Sequence, residues 1–187
     1  MERSLEIQRE DFARRRFLAM PLAGTIAWAA VLAGALVLEA RWLPILTFVA
    51  TGSIAYLGIG ISRFTGETFI DKARPKNAFD SLFMHSVAMS VLVYAIAIPF
   101  FMIEPTSLPL SVGILTGLMW LPFSWIIRHW IGLFHAIART VLIVAAWYAF
   151  PDHRYVAVPL VILGMYAITI AVFEARWRRL QGQPALA

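Results

Sequence analysis

Residues 108–127 read LPLSVGILTGLMWLPFSWII, residues 128–130 read RHW, and residues 131–150 read IGLFHAIARTVLIVAAWYAF. Two apolar runs of twenty residues therefore stand on either side of a three-residue turn. A hydrocarbon core ~30 Å thick takes ~20 helical residues to cross, so each run has the length of one crossing. Lipid offers no water to backbone N–H and C=O groups, and a helix satisfies them within the segment. A turn this short joins the two as an antiparallel helical hairpin.

Outward from this hairpin the pattern repeats. Spans are expected at about 17–38, 42–62, 81–103, 108–127, 131–150 and 155–173, with a basic tail over 1–16 and a second tail over 174–187. Little chain is left for an extramembrane module, so residues 1–187 read as a single polytopic membrane domain. The expected fold class is an all-α membrane protein, a bundle of six transmembrane helices. Composition agrees: hydrophobic residues make up 60% and charged residues 14%. A soluble domain carries about 25% charged residues, and this chain has too few to cover a water-facing surface.

The cations set the threading. Arg3, Arg9, Arg14, Arg15, Arg16, Arg63, Lys72, Arg74, Lys76, Arg128, Arg176, Arg178 and Arg179 fall in the tails and alternate gaps, while only Arg41 and Arg154 fall in the others. The positive-inside rule then puts both termini in the cytoplasm. Trp42, Trp130, Trp147, Tyr148, Tyr155 and Trp177 lie at span ends, where amphipathic rings favour the headgroup zone. The net charge of +5 is thus expected to meet anionic headgroups at the cytoplasmic face of the bilayer, not nucleic acid. Arg14-Arg15-Arg16-Phe17-Leu18 resembles a twin-arginine export signal. Cleavage would leave five spans and opposed tails, against the charge count, and Val37-Leu38-Glu39-Ala40 is a poor cleavage site. The triplet is read as the flank of the first span. In the long cytoplasmic gap, Phe64, Phe69, Ile70 and Phe79 alternate with charges, which suits either a surface-lying segment or a polar loop.

Arg139 is the leading candidate for chemistry. It sits near the middle of the fifth span, where a charge costs ~2.5–3.5 kcal/mol on insertion scales, and no expected span holds Asp or Glu near its centre. Its partners must be carbonyls, hydroxyls such as Thr116 and Tyr166, water, or an anionic ligand. His135 precedes it by one turn on the same face, and Gly132 and Arg128 continue that face toward the cytoplasm. The stripe reads as a basic lane for a carboxylate or phosphate, or as a snorkelling Arg128 and a packing His135. His85 lies at a similar depth in the third span. With no cysteine, and two histidines without a carboxylate, neither metal nor cofactor is expected. Gly113 and Gly117 form a small-xxx-small pair for close helix packing. Pro122 is expected to kink the end of the fourth span.

Leu121-Pro122-Phe123-Ser124-Trp125, followed by a basic residue and another span, resembles a signature of small bacterial multi-pass inner-membrane proteins with no assigned function. Asn77-Ala78-Phe79-Asp80-Ser81-Leu82-Phe83 is similar to the same group. The resemblance covers spans three to five. It implies the bacterial inner (cytoplasmic) membrane and brings no activity or catalytic residues with it.

Three functions stay open. The first is a small transporter or channel-like protein with a basic cytoplasm-facing cavity for a small anionic ligand. The second is a non-catalytic structural or partner-binding subunit, a homo-oligomer included. The third is an intramembrane lipid-modifying enzyme. No Gly-x-Ser-x-Gly, His-Glu-x-x-His or phosphate-cradling Gly-Lys loop is present, so the chain is read as more a non-enzyme than an enzyme and no catalytic residue is assigned. A water-filled cavity at Arg139 would favour the first, and an Arg139 saturated by carbonyls and hydroxyls the second.

Overall fold

A computed structural model of the chain describes residues 3–67 and 75–181. Lys72, Arg74, Phe69 and Ile70, and with them the core of the expected surface segment, lie outside the described residues. Among the described residues all regular structure is helical.

A short helix, α1 (Leu5–Ala13), opens the chain, with the Ser4 side chain accepting from the Ile7 N–H as its cap. Then follow α2 (Ala19–Val37), α3 (Leu43–Gly52), α4 (Ile54–Thr65), α5 (Ala78–Leu92), α6 (Tyr94–Ile103), α7 (Leu108–Gly117), α8 (Trp120–Ile127), α9 (Trp130–Ala149) and α10 (Arg154–Gln181). Five stretches are long and apolar enough to cross a membrane: Ala19–Val37, Ala78–Ile103, Pro105–Ile127, Trp130–Ala149 and Pro151–Gln181. The α3–α4 pair, bent by 44°, makes a sixth if it is one broken span. The protein is an all-helical membrane bundle, and its expected second span is the bent one.

The bend has a local cause. Thr51 Oγ1 donates to the Thr47 carbonyl and Ser53 Oγ to the Ala50 carbonyl. Hydroxyls that bond back in this way draw carbonyls off the helical ladder and bend it. Gly52 beside them carries no side chain to hold the turn against a neighbour. The helix expected to kink at Pro122 is interrupted one turn earlier, between α7 and α8. Pro122 has no N–H to give the Leu118 carbonyl, and its ring crowds that oxygen. The Leu118 carbonyl instead accepts from the Leu121 N–H at 3.0 Å.

Burial sorts the spans. Half of the apolar stretch of Pro105–Ile127 is buried, against 17% of that of Ala78–Ile103. The α7–α8 span is therefore central, while α5–α6 lies at the edge and turns Leu92 and Ile103 outward, as lipid requires. Close approach at the centre rests on small residues. A Cβ on Gly113 would meet Ile143 of α9 at 3.0 Å and Ile162 of α10 at 3.2 Å.

The chain ends share one end of the bundle. Arg16, just before α2, pairs with Glu174 near the end of α10, and Arg176 donates to the Ala13 carbonyl. The turns Ala40–Trp42, Pro105–Ser107 and Pro151–His153 come together at the opposite end, around a cavity of about 300 Å³.

Candidate functional site

His135 and Arg139, one turn apart on α9, are both fully buried. Arg139 Nη1 donates to His135 Nε2 and to Tyr166 Oη, each at 3.3 Å, and Nη2 donates to Thr116 Oγ1 at 3.3 Å. The guanidinium thus links α7, α9 and α10. It also lies 5.4 Å from the Tyr166 ring centroid. Two glycines make the room. A Cβ on Gly117 would come within 3.1 Å of Arg139 Cδ, and one on Gly24 within 2.3 Å of Tyr166 Oη.

The hydroxyls fix the histidine tautomer. Thr169 Oγ1 gives its hydrogen to the Met165 carbonyl at 2.8 Å. At its 2.7 Å contact with His135 Nδ1 it must therefore accept. His135 accordingly carries its proton on Nδ1 and presents a bare Nε2 to Arg139. Thr116 is oriented in the same way, donating to the Val112 carbonyl at 2.6 Å and accepting from Arg139. All three acceptors of the guanidinium are neutral. The Nε–H has no hydrogen-bond partner.

From His135 toward the chain ends the core becomes aromatic. Trp120 packs on His135 with centroids 4.8 Å apart. Behind it Phe12, Phe17, Phe83, Phe123 and Phe173 form a continuous cluster, with spacings from 4.9 to 6.4 Å. A narrow apolar crevice, lined by Met20, Phe83, Met119 and Trp120 among others, runs from this cluster to Glu67. Glu67 also lines a larger cavity of about 550 Å³ at that end. One residue thus borders both spaces.

Glu67 is itself buried, at 2% exposure. Its Oε1 accepts from the Leu18 and Ala19 N–H groups at 2.8 and 2.9 Å, which caps α2. Two left-handed residues, Gly66 and Phe17 (φ 76° and 60°), bend the two chains into this contact. Burial pushes the Glu67 carboxyl above its ordinary range, against the pull of its hydrogen bonds and of Arg16.

The other residues singled out by sequence are dispersed. Arg128 lies in the α8–α9 turn with φ 49° and pairs with Glu6 of α1 at 2.7 Å, so it does not continue the α9 face. Between it and His135, Gly132 is sealed against α8; a Cβ there would sit 2.5 Å from the Trp120 carbonyl oxygen. His85 is exposed on α5, with Nδ1 2.7 Å from the Ser81 carbonyl of its own helix. Only His135 and Arg139 are brought together, joined by Thr116 and Tyr166. Trp120, Thr169 and Glu67 escape the sequence reading. Thr169 carries the one available signal, following Tyr166 by three on a helix; the N–H groups that Glu67 caps lie 48 and 49 residues upstream and leave no local trace.

A family model described as "Family of unknown function (DUF7010)" matches residues 5–175, from the start of α1 to the last turns of α10. No curated protein and no solved structure matches the chain.

Proposed function

We propose, for a chain that belongs to this family of unknown function, that it binds and passes a small anion at the His135–Arg139 centre. In this reading both termini lie in the cytoplasm of a bacterial cell, and the protein sits in its inner membrane. The observation that carries it is the state of Arg139. The guanidinium is fully buried, its three acceptors are neutral, and its Nε–H is unengaged. A buried charge normally has a counter-charge or a metal, and a cation inside a membrane bundle marks a ligand or ion path by default. An anion would supply the missing charge. It would approach from the end holding the chain termini, past Glu67 and Trp120, once the phenylalanine cluster parts. None of the cavities described above reaches Arg139, so this reading requires a more open form than the one described.

A second reading has its own support. Arg139 bridges three helices and has no exposure, which suits a brace in a structural or partner-binding subunit. The two separate experimentally. Wild type and Arg139→Gln are compared in proteoliposomes for chloride and nitrate flux, and in detergent for melting temperature in chloride against gluconate at constant ionic strength. The anion reading expects flux and chloride-dependent stabilisation in wild type, both lost in a folded variant. Wild type without either effect, paired with a variant of lowered melting temperature, leaves the brace.

A further inference from the structure

Three consecutive arginines follow α1, and the fold gives them different surroundings. Arg15 turns both terminal nitrogens to the Asp80 carboxylate at the start of α5. Arg16 donates Nε to Glu174 at 2.9 Å, with Nη2 in ion-pair contact with the same oxygen, and lies over the Trp177 ring at 4.6 Å. Arg14 is half-buried, and its guanidinium meets no carboxylate, carbonyl or ring among the described residues. All three, with Arg3, line the cavity of about 550 Å³ at the end of the bundle where the chain termini meet. Small-ligand pockets commonly have volumes of about 300–1,000 Å³.

The wall is built for an anion. Among the described residues of the wall, four guanidiniums face two carboxylates, Asp11 and Glu67. Asp11 is engaged by Arg3, and Glu67 accepts the N–H groups that open α2. Arg14 is left with its full charge. Among the described residues the Arg15 Nε–H and Arg16 Nη1 meet no acceptor. Thr65 and Asn77 add polar side chains to the same wall.

We propose that this basin binds a phosphate-bearing ligand, with Arg14 as the principal charge and Arg15 and Arg16 as its flanks. Several guanidiniums with spare donors suit the three or four oxygens of a phosphate better than the two of a carboxylate, and planar N–H forks match phosphate geometry. Arg15 and Arg16 are held in place by their ion pairs, so the site is largely formed before the ligand arrives. The ligand is either a soluble phosphate compound or the headgroup of an anionic lipid, since the two present the same oxygens. The inference is independent of the Arg139 centre.

The test uses the full chain in phosphatidylcholine nanodiscs. Pyrophosphate is titrated with melting temperature and calorimetry as readouts. Separately, phosphatidylglycerol is introduced into the discs. Variants Arg14→Gln, Arg14→Lys and Arg128→Gln are compared with wild type. Arg14 has no partner among the described residues, so its variants should fold. Saturable binding that weakens about tenfold in Arg14→Gln, the scale of one lost charge-assisted contact, is expected. Arg14→Lys should lose less, and Arg128→Gln, at the same end but outside the basin, should bind as wild type. A response to pyrophosphate in neutral lipid identifies a soluble ligand. A response confined to phosphatidylglycerol identifies a headgroup. Wild type that answers to neither probe, or Arg14→Gln indistinguishable from it, overturns the proposal.

Discussion

Glu67 is a carboxyl serving as a helix cap in a place from which water is excluded. Burial raises its proton affinity in the folded protein. The folded state then holds the proton more tightly than the unfolded one, so this residue's contribution is greatest below the ordinary glutamate range. It declines as pH rises through that range toward the folded value. Glu67→Gln keeps an acceptor for the Leu18 and Ala19 N–H groups but does not titrate. Its melting temperature should match wild type at acid pH and exceed it as pH rises. Glu67→Ala should lose ~0.5–2 kcal/mol, as cap deletions do. A wild-type curve parallel to that of Glu67→Gln across the whole range would show that the residue does not titrate differently in the two states.

At the scale of elements, contact between helices is set by which glycines have neighbours. Gly132 of α9 touches the α8 backbone, while a Cβ on Gly164 of α10 would meet nothing within 4 Å. Gly132→Ala should therefore spread the α8–α9 hairpin and destabilise by about 1–3 kcal/mol, the usual cost of overpacking. Gly164→Ala should be neutral or gain up to about 1 kcal/mol of helix propensity. Thermal unfolding of the pair in one detergent checks the contrast. The helix α1 depends on Arg9, whose Nε and Nη2 donate to the Ile126 and Trp125 carbonyls at 3.0 Å and which lies 4.1 Å from the Trp125 ring centroid. These bonds satisfy the open carbonyl end of α8. Arg9→Ala should release α1, seen as faster amide exchange over residues 5–13 with little change in α9.

At the scale of the molecule, the Arg16–Glu174 ion pair and the hydrogen bond from Arg176 to the Ala13 carbonyl bring the two chain ends together, and the proposed threading puts that end in the cytoplasm. The sequence contains no cysteine, so single introduced thiols report sidedness cleanly. Ser4→Cys and Gln181→Cys should react only with reagent on the inner face, and Asp152→Cys only from outside. Labelling of Ser4→Cys and Gln181→Cys from opposite faces would defeat the six-span threading, with the α3–α4 pair failing to cross.

Some of this was readable before any coordinates. Lipid permits only structures that satisfy their own backbone, so apolar runs near twenty residues long decide that the chain is helical, five of the six expected spans and the α8–α9 hairpin. The one-turn spacing of His135 and Arg139 puts them on one face by helical geometry alone. Counting by the same period reaches Arg128, yet the left-handed turn at that residue ends the register, and Glu6, 122 positions away, pairs with it. The acceptors on Arg139 come from three helices, Glu67 caps a helix begun 48 residues earlier, and the adjacent Arg15 and Arg16 acquire carboxylates from two different helices. Periodicity and hydropathy are properties of neighbours along the chain. Which polar group meets which across helices depends on packing between distant segments, and only the tertiary structure decides it.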